Sequence, residues 1–114
     1  MRVSLRQIVL DSREPKVLVR FWAGLLGGVP VDRERGWSHV EAPGFARLAF
    51  QPVPEEQAGK NRLHLDLAVD DVEAAVHAAV ALGATPAGEL RRDDQGAFRT
   101  MRDPEGNEFC FVSA

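Results

Sequence analysis

Apolar and polar residues alternate strictly along residues 61–69, NRLHLDLAV. His64 and Asp66 are the polar residues of this run, and they are flanked by Leu63, Leu65, Leu67 and Val69. A period of two predicts a β-strand whose two faces lie in different environments. We therefore expect His64 and Asp66 to share one face of a strand.

This strand also marks an internal repeat. A shift of 57 residues carries residues 7–10 onto residues 64–67, so that Gln7 corresponds to His64. A shift of 61 carries residues 43–50 onto residues 104–111, so that Ala49 corresponds to Cys110. The two matches indicate a weak duplication of one module.

The first half of the chain contains one predicted helix. Residues 3–11 form a strand pattern, with Gln7, Val9 and Asp11 on one face. Apolar residues at helical spacing follow over residues 15–26, beginning with Pro15 at the first helical position. Short apolar runs broken by turn residues over 29–51 predict three antiparallel strands.

The second half repeats this order. Residues 52–61 are polar and rich in turn formers, which indicates a linker. A helix is predicted over residues 71–82, and strands near 85–90, 97–102 and 107–112. We expect an α+β protein of two tandem βαβββ modules: a single domain, 1–114, with modules 1–51 and 62–114.

Composition excludes several classes of protein. The chain has 114 residues, 45% of them hydrophobic and 27% charged, with a formal charge of -3. One domain of this size can bury a core, and the charge gives no basic footprint for nucleic acid. The N-terminus alternates like a strand, and no run has the roughly 20 apolar residues of a membrane span. With Cys110 as the single cysteine, we expect a cytoplasmic protein.

Four stretches make the chain resemble a known family. They are the Phe21-Trp22 helix ending in LLG, residues 63–67 (LHLDL), residues 81–84 (ALGA), and residues 103–109 (DPEGNEF). The chain is similar to the glyoxalase/bleomycin-resistance, or vicinal-oxygen-chelate, superfamily, and especially to its glyoxalase-like domain branch. The resemblance implies a cup-shaped, partly open mixed sheet with helices on its convex side, and His64 and Asp66 facing the cup.

The resemblance also implies positions for a metal ion. Enzymes of this superfamily hold one divalent metal with donors from the first and last strands of each module. Gln7 falls on the first donor position, His64 on the third and Cys110 on the fourth. The second position corresponds to Ala49, with Gln51 two residues further along the strand. This partial set favours an empty metal site.

Each candidate residue has a structural interpretation beside the functional one. His64 is either a metal ligand or a hydrogen-bonded structural residue paired with Asp66, and Cys110 is either a ligand or an apolar filler. Trp22 and Trp37 belong to the core or form a flat wall for a ring-containing ligand. The predicted ligand-binding residues are Gln7, Val9, Trp22, Trp37, Gln51, His64, Asp66 and Cys110.

Three functions remain open. The first is binding of an apolar or aromatic small molecule without chemistry, the second is a metal-dependent lyase, isomerase or dioxygenase, and the third is a regulatory or structural domain. We expect no cofactor; if one is present, it is a single divalent metal, with Zn²⁺ the most compatible with Cys110. Sheets of this type leave free edge strands, so we expect a homodimer, without nucleic-acid or membrane partners.

Overall fold

The computed structural model describes residues 1–2, 4–59, 61–94 and 96–113. The chain divides into two compact units, Met1–Glu56 and Gln57–Ala114, which we call the first and second unit. Each unit contains one helix and one open sheet of mixed strands. The predicted α+β fold with two βαβββ modules is therefore confirmed.

The helices and strands follow the chain in a repeated order. In the first unit they are β1 (Ile8–Ser12), α1 (Pro15–Leu26), β2 (Val29–Asp32), β3 (Ser38–Glu41) and β4 (Leu48–Pro52), with a 3₁₀ turn at Glu34–Gly36. In the second unit they are β5 (Leu65–Ala68), α2 (Val72–Leu82), β6 (Thr85–Pro86), β7 (Arg91–Asp93), β8 (Gly96–Arg102) and β9 (Glu108–Ser113).

Both sheets place their first and last strands side by side. The order is β1-β4-β3-β2 in the first unit and β5-β9-β8-β6 in the second, where β7 also pairs with β8. The pairs β1–β4 and β5–β9 are parallel, and the remaining pairs are antiparallel. The helix between the first and second strand of each module supplies the crossover that this arrangement needs.

Helix α1 begins and ends where the sequence predicts. Pro15 occupies the first turn, where its missing N–H costs no hydrogen bond, and Gly27 closes the helix in the left-handed conformation with φ 78°. Gly28 then passes so close to β3 that a Cβ atom would lie 2.5 Å from the Glu41 carbonyl oxygen. Glycine is required at this position because any side chain would clash with β3, and not because of a left-handed backbone conformation.

Helix α2 has a side-chain cap at its start. The carboxylate of Asp71 accepts a hydrogen bond from the backbone N–H of Ala74 at 3.1 Å, and Gly83 ends the helix with φ 118°. Neither α1, with 12 residues, nor α2, with 11, has the length of about 20 residues needed to traverse a bilayer.

One face of each sheet packs against its helix and forms the core. In the first unit the largest fully buried side chains are Trp22, Phe50, Leu18 and Leu48. In the second they are Phe109, Phe111 and Met101, and the two phenylalanine rings meet edge to face at 5.5 Å. The opposite face of each sheet, which we call the open face, carries the side chains of alternate residues.

Two strands begin later than predicted. Strand β1 begins at Ile8 instead of residue 3, because its parallel neighbour β4 begins at Leu48; Val3 itself lies outside the described residues. Strand β5 begins at Leu65, whose partner on β9 is Phe109, the second residue of that strand. Gln7 and His64 therefore lie immediately before their strands.

The predicted strand over residues 85–90 is also wrong. Only Thr85–Pro86 of this range form a strand, β6, and the next strand, β7, begins beyond it at Arg91. Strands β6 and β7 pair with the same strand in registers that differ by two residues. The intervening segment includes Gly88, whose carbonyl oxygen accepts a hydrogen bond from Arg99 Nε at 2.9 Å. A side chain thus replaces part of the backbone pairing there.

The tight turn between β8 and β9 depends on Asp103. This carboxylate is 3% exposed and accepts hydrogen bonds from the backbone N–H groups of Glu105 and Asn107, both at 2.9 Å. The side-chain amide of Asn107 also donates to it. A buried charge with this many donors is stabilised, whereas its removal leaves the donors without a partner.

We predict that Asp103→Ala lowers the free energy of unfolding by about 2–4 kcal/mol, because several buried donors lose their acceptor. Urea denaturation followed by circular dichroism measures the change. The exposed carboxylate variant Glu55→Ala serves as the control and should change stability by less than about 0.5 kcal/mol. Equal effects of the two variants would contradict a structural role for the turn.

Candidate functional site

Within each sheet, strand pairing brings three open-face residues side by side, and the two sets of three occupy equivalent positions of the repeat. In the first unit Val9, Ala49 and His39 lie side by side on β1, β4 and β3. In the second unit the corresponding row on β5, β9 and β8 is Asp66, Cys110 and Thr100. The first row carries one polar side chain, whereas all three members of the second can form hydrogen bonds.

The second row contributes to a cluster of possible metal donors. One donor atom each from His64, Asp66 and Cys110 lies within 4.8 Å of the others, and we call these residues the donor group. His64 lies immediately before β5, Asp66 lies on β5 and Cys110 lies on β9. His64 Nε2 lies 3.4 Å from Asp66 Oδ1, and both side chains are about half exposed. The histidine and the carboxylate are therefore open to a ligand, whereas Cys110 is more buried.

Cys110 has a polar neighbour on the next strand. Its Sγ lies 3.3 Å from the hydroxyl of Thr100, and either atom can donate the hydrogen bond. Thr100 also lines an open cleft of about 600 Å³ in the second unit, together with Gln57, Gly59, Ala87, Arg102, Gly106 and Glu108. The hydroxyl therefore connects the donor group to a space of ligand size.

The structure distributes the other predicted site residues differently. Gln7 and Trp37 line one cleft in the first unit. Trp22 is 1% exposed and belongs to the core, so a ligand finds almost no surface on it there. Val9 is 42% exposed on the open face, and Gln51 is exposed on β4.

Asp66 was predicted as a ligand-binding residue and as a partner of His64, but not as a metal ligand. Its register opposite Cys110 makes it a third donor. The repeat contained this signal, because the shifts of 57 and 61 residues carry the neighbours Val9 and Ala49 onto Asp66 and Cys110. Gln7, a predicted metal ligand, lies in the first unit.

His39 was not predicted as a site residue. It lies between Val31 and Ala49 on the open face of the first sheet, and within the described part of the chain its buried Nδ1 has no hydrogen-bond partner. Burial lowers the pKa of His39 below its ordinary value of 6.5, and the positive charges of Arg47 and Arg33 lower it further. Its environment therefore favours the neutral imidazole over the charged form.

Comparison with known families agrees with this geometry. The model of the glyoxalase-like domain matches residues 7–112, which is nearly the whole chain and includes both open-face rows. The chain belongs to the glyoxalase-like domain family. No curated protein matches it.

Solved structures of this superfamily share the fold of the glyoxalase-like chain. A glyoxalase/bleomycin resistance protein/dioxygenase family enzyme from Burkholderia phytofirmans is 19% identical, with a TM-score of 0.83 over 97% of this chain and 98% of that one. A genomically encoded fosfomycin resistance protein from Listeria monocytogenes is 14% identical, with a TM-score of 0.80 over 100% of this chain and 95% of that one. At these identities the likeness establishes the fold alone.

The lowered pKa of His39 predicts a pH dependence of stability. The unfolded chain binds a proton at His39 more readily than the folded chain, so the free energy of unfolding falls as the pH drops from the ordinary value through the lowered one. Replacement by glutamine removes this contribution. We expect His39→Gln to lose less stability than the wild type between about pH 7.5 and about pH 5.

Urea titrations at both pH values measure this difference. His77→Gln, on the exposed side of α2, is the matched control and should retain the wild-type pH dependence. A steeper loss of stability in His39→Gln than in the wild type would contradict the expectation.

Proposed function

We propose that this glyoxalase-like protein binds a small, oxygen-bearing organic molecule at the open face of the second sheet, with a divalent metal ion held by the donor group. The observation that carries the proposal is the convergence of His64, Asp66 and Cys110 beside the cleft lined by Thr100. The sequence favoured an apolar or aromatic ligand and an empty metal site. A third donor, and the charged side chains of Arg102 and Glu108 in the cleft wall, support a different ligand.

The donor group fits zinc better than other metals. A thiolate, an imidazole and a carboxylate are all accepted zinc ligands, whereas magnesium and manganese prefer oxygen donors. Separations of at most 4.8 Å between the donor atoms require only small side-chain rotations to reach a common centre. A bound Zn²⁺ would supply Lewis acidity toward a ligand oxygen.

The residues around the donor group have separate roles in this proposal. Asp66 Oδ1 and His64 Nε2 lie 3.4 Å apart and would contribute to the same metal centre. Thr100 offers a hydroxyl that can hold the thiol or a ligand oxygen. Arg102 and Glu108 lie in the cleft wall 3.4 Å apart, and the arginine can bond a polar ligand group at that rim.

Catalysis is the second candidate function. Three protein donors leave a coordination position for a substrate, which is the arrangement of a catalytic rather than a structural zinc site. A metal-dependent lyase, isomerase or dioxygenase would use the same donor group.

We also propose that the protein is cytoplasmic, because its sequence has one cysteine and therefore no pair for an internal disulfide.

We predict that the metal-free protein binds one equivalent of Zn²⁺, and that Cys110→Ser and His64→Ala each weaken binding by more than about tenfold, because each removes one donor. Isothermal titration with Zn²⁺ measures the affinity. Titration with Co²⁺ should give a thiolate charge-transfer band that Cys110→Ser abolishes.

His77→Ala is the matched histidine control for this experiment and should bind Zn²⁺ like the wild type. Asp66→Asn tests the added donor and should fall between the wild type and His64→Ala. Zinc binding that survives in both Cys110→Ser and His64→Ala would refute the donor group.

We also propose a homodimer. Val9 and Val31, 42% and 41% exposed, leave apolar surface on the open face of the first sheet, and β1 and β2 are its free edges. We expect light scattering at micromolar concentration to give about twice the 12.5 kDa of one chain. A mass of one chain would contradict this, and Val31→Lys should shift a real dimer toward monomer, unlike Val17→Lys on α1.

A further inference from the structure

The hairpin between β2 and β3 borders a cleft whose lining residues all belong to the first unit. Its volume is about 780 Å³, within the range of small-molecule sites, and it is lined by Gln7, Asp32, Arg33, Glu34, Arg35 and Trp37. Four of these side chains are charged and one is a large aromatic ring. The lining therefore combines a flat surface with ionic groups.

Trp37 provides the flat surface. It is only half-buried, in contrast to Trp22 in the core. The guanidinium carbon of Arg33 lies 5.8 Å from the centroid of its ring, near the outer limit of a cation–π contact. A planar ligand could stack on the indole, and the guanidinium would then lie close to its edge or its charged group.

The charges of the cleft leave a positive excess. Asp32 is bound by Arg20 through two hydrogen bonds, at 3.1 and 3.2 Å, and by the hydroxyl of the buried Ser38 at 2.9 Å. These partners hold the pKa of Asp32 below its ordinary value and raise that of Arg20. With Asp32 paired to Arg20, the other charged residues among the described lining of the cleft are Arg33, Glu34 and Arg35. Their sum is one positive charge, so the cleft favours a ligand with one negative charge.

Arg35 occupies a conformation that arginine rarely adopts. Its φ is 61° and its ψ is 25°, the left-handed region in which glycine or asparagine costs less. A hydrogen bond from the Arg33 N–H to the Trp37 carbonyl, at 2.7 Å, closes the hairpin around it. This backbone conformation places a cationic side chain at the rim of the cleft.

From these features we propose that the hairpin cleft of the first unit binds a planar aromatic monoanion, with its ring on Trp37 and its carboxylate or equivalent anionic group bound by Arg33 and Arg35. Gln7 offers an amide that can bond a further polar substituent. The residues of this site, all from the first unit, do not include His64, Asp66 or Cys110.

Three matched probes separate ring from charge. Benzoate is planar and anionic, benzamide is planar and neutral, and cyclohexanecarboxylate is anionic but not planar. We expect the wild type to bind benzoate saturably. We expect its affinity for benzamide and for cyclohexanecarboxylate to be at least about tenfold lower than its affinity for benzoate. Isothermal titration and ligand-observed NMR measure these affinities.

Variants test the named residues. Arg35→Asn removes the charge but tolerates the left-handed conformation, and we expect a loss of about tenfold in benzoate affinity; Arg35→Lys should recover part of it. Trp37→Leu should lose a similar amount. Arg91→Gln, an exposed arginine of the second unit, is the control and should bind benzoate normally. Circular dichroism confirms that each variant folds.

Several results would overturn the proposal: no saturable benzoate binding to the wild type, equal binding of benzamide, or an equal loss in Arg91→Gln. The experiment is repeated on Cys110→Ser, which removes a zinc donor but leaves the hairpin unchanged. Retained benzoate binding in that variant supports a separate site, and its loss refutes one. The two proposals therefore fail through different measurements.

Discussion

The parallel pairing of the first and last strand in each unit is the constraint on which the other features depend. In the second unit it places Leu65 opposite Phe109 on the helix side and Asp66 opposite Cys110 on the open side. Side chains alternate with a period of two, so a slip of one residue would send the phenylalanine away from α2. Burial of the core residues therefore fixes the register of the two strands. The same register sets the positions of Asp66 and Cys110 on the opposite face.

The same register recurs in the first unit with the charges exchanged. Glu41 and Arg47 form an ion pair with 2.6 Å between their atoms, and the shift of 61 residues carries them onto Arg102 and Glu108, which pair at 3.4 Å. A carboxylate therefore precedes Cys110 by two residues, whereas a guanidinium precedes Ala49. The two open faces therefore share one backbone plan and one ion pair, in which the positions of the arginine and the glutamate are exchanged.

Sequence periodicity predicted both helices and the order of the strands, because those features depend on local residue spacing and on Pro15, Gly27 and Gly83. The strand limits depend on where a partner strand begins, and no local pattern contains that information. The separation of β6 from β7 also depends on a contact distant in sequence. The Arg99 side chain donates a hydrogen bond to the Gly88 carbonyl, which a continuous strand would use in backbone pairing. For the donor group, the residue types were predicted but the role of Asp66 required the register.

The repeat also separates what the fold requires from what it does not. At the positions equivalent to Asp66 and Cys110 the first unit carries Val9 and Ala49, and Ala49 is fully buried in a sheet with the same pairing. Small or apolar side chains therefore satisfy the same strand pairing in the first unit at both positions. In the second unit His64 and Asp66 are about half exposed, so water solvates them and the fold carries these polar groups at little desolvation cost.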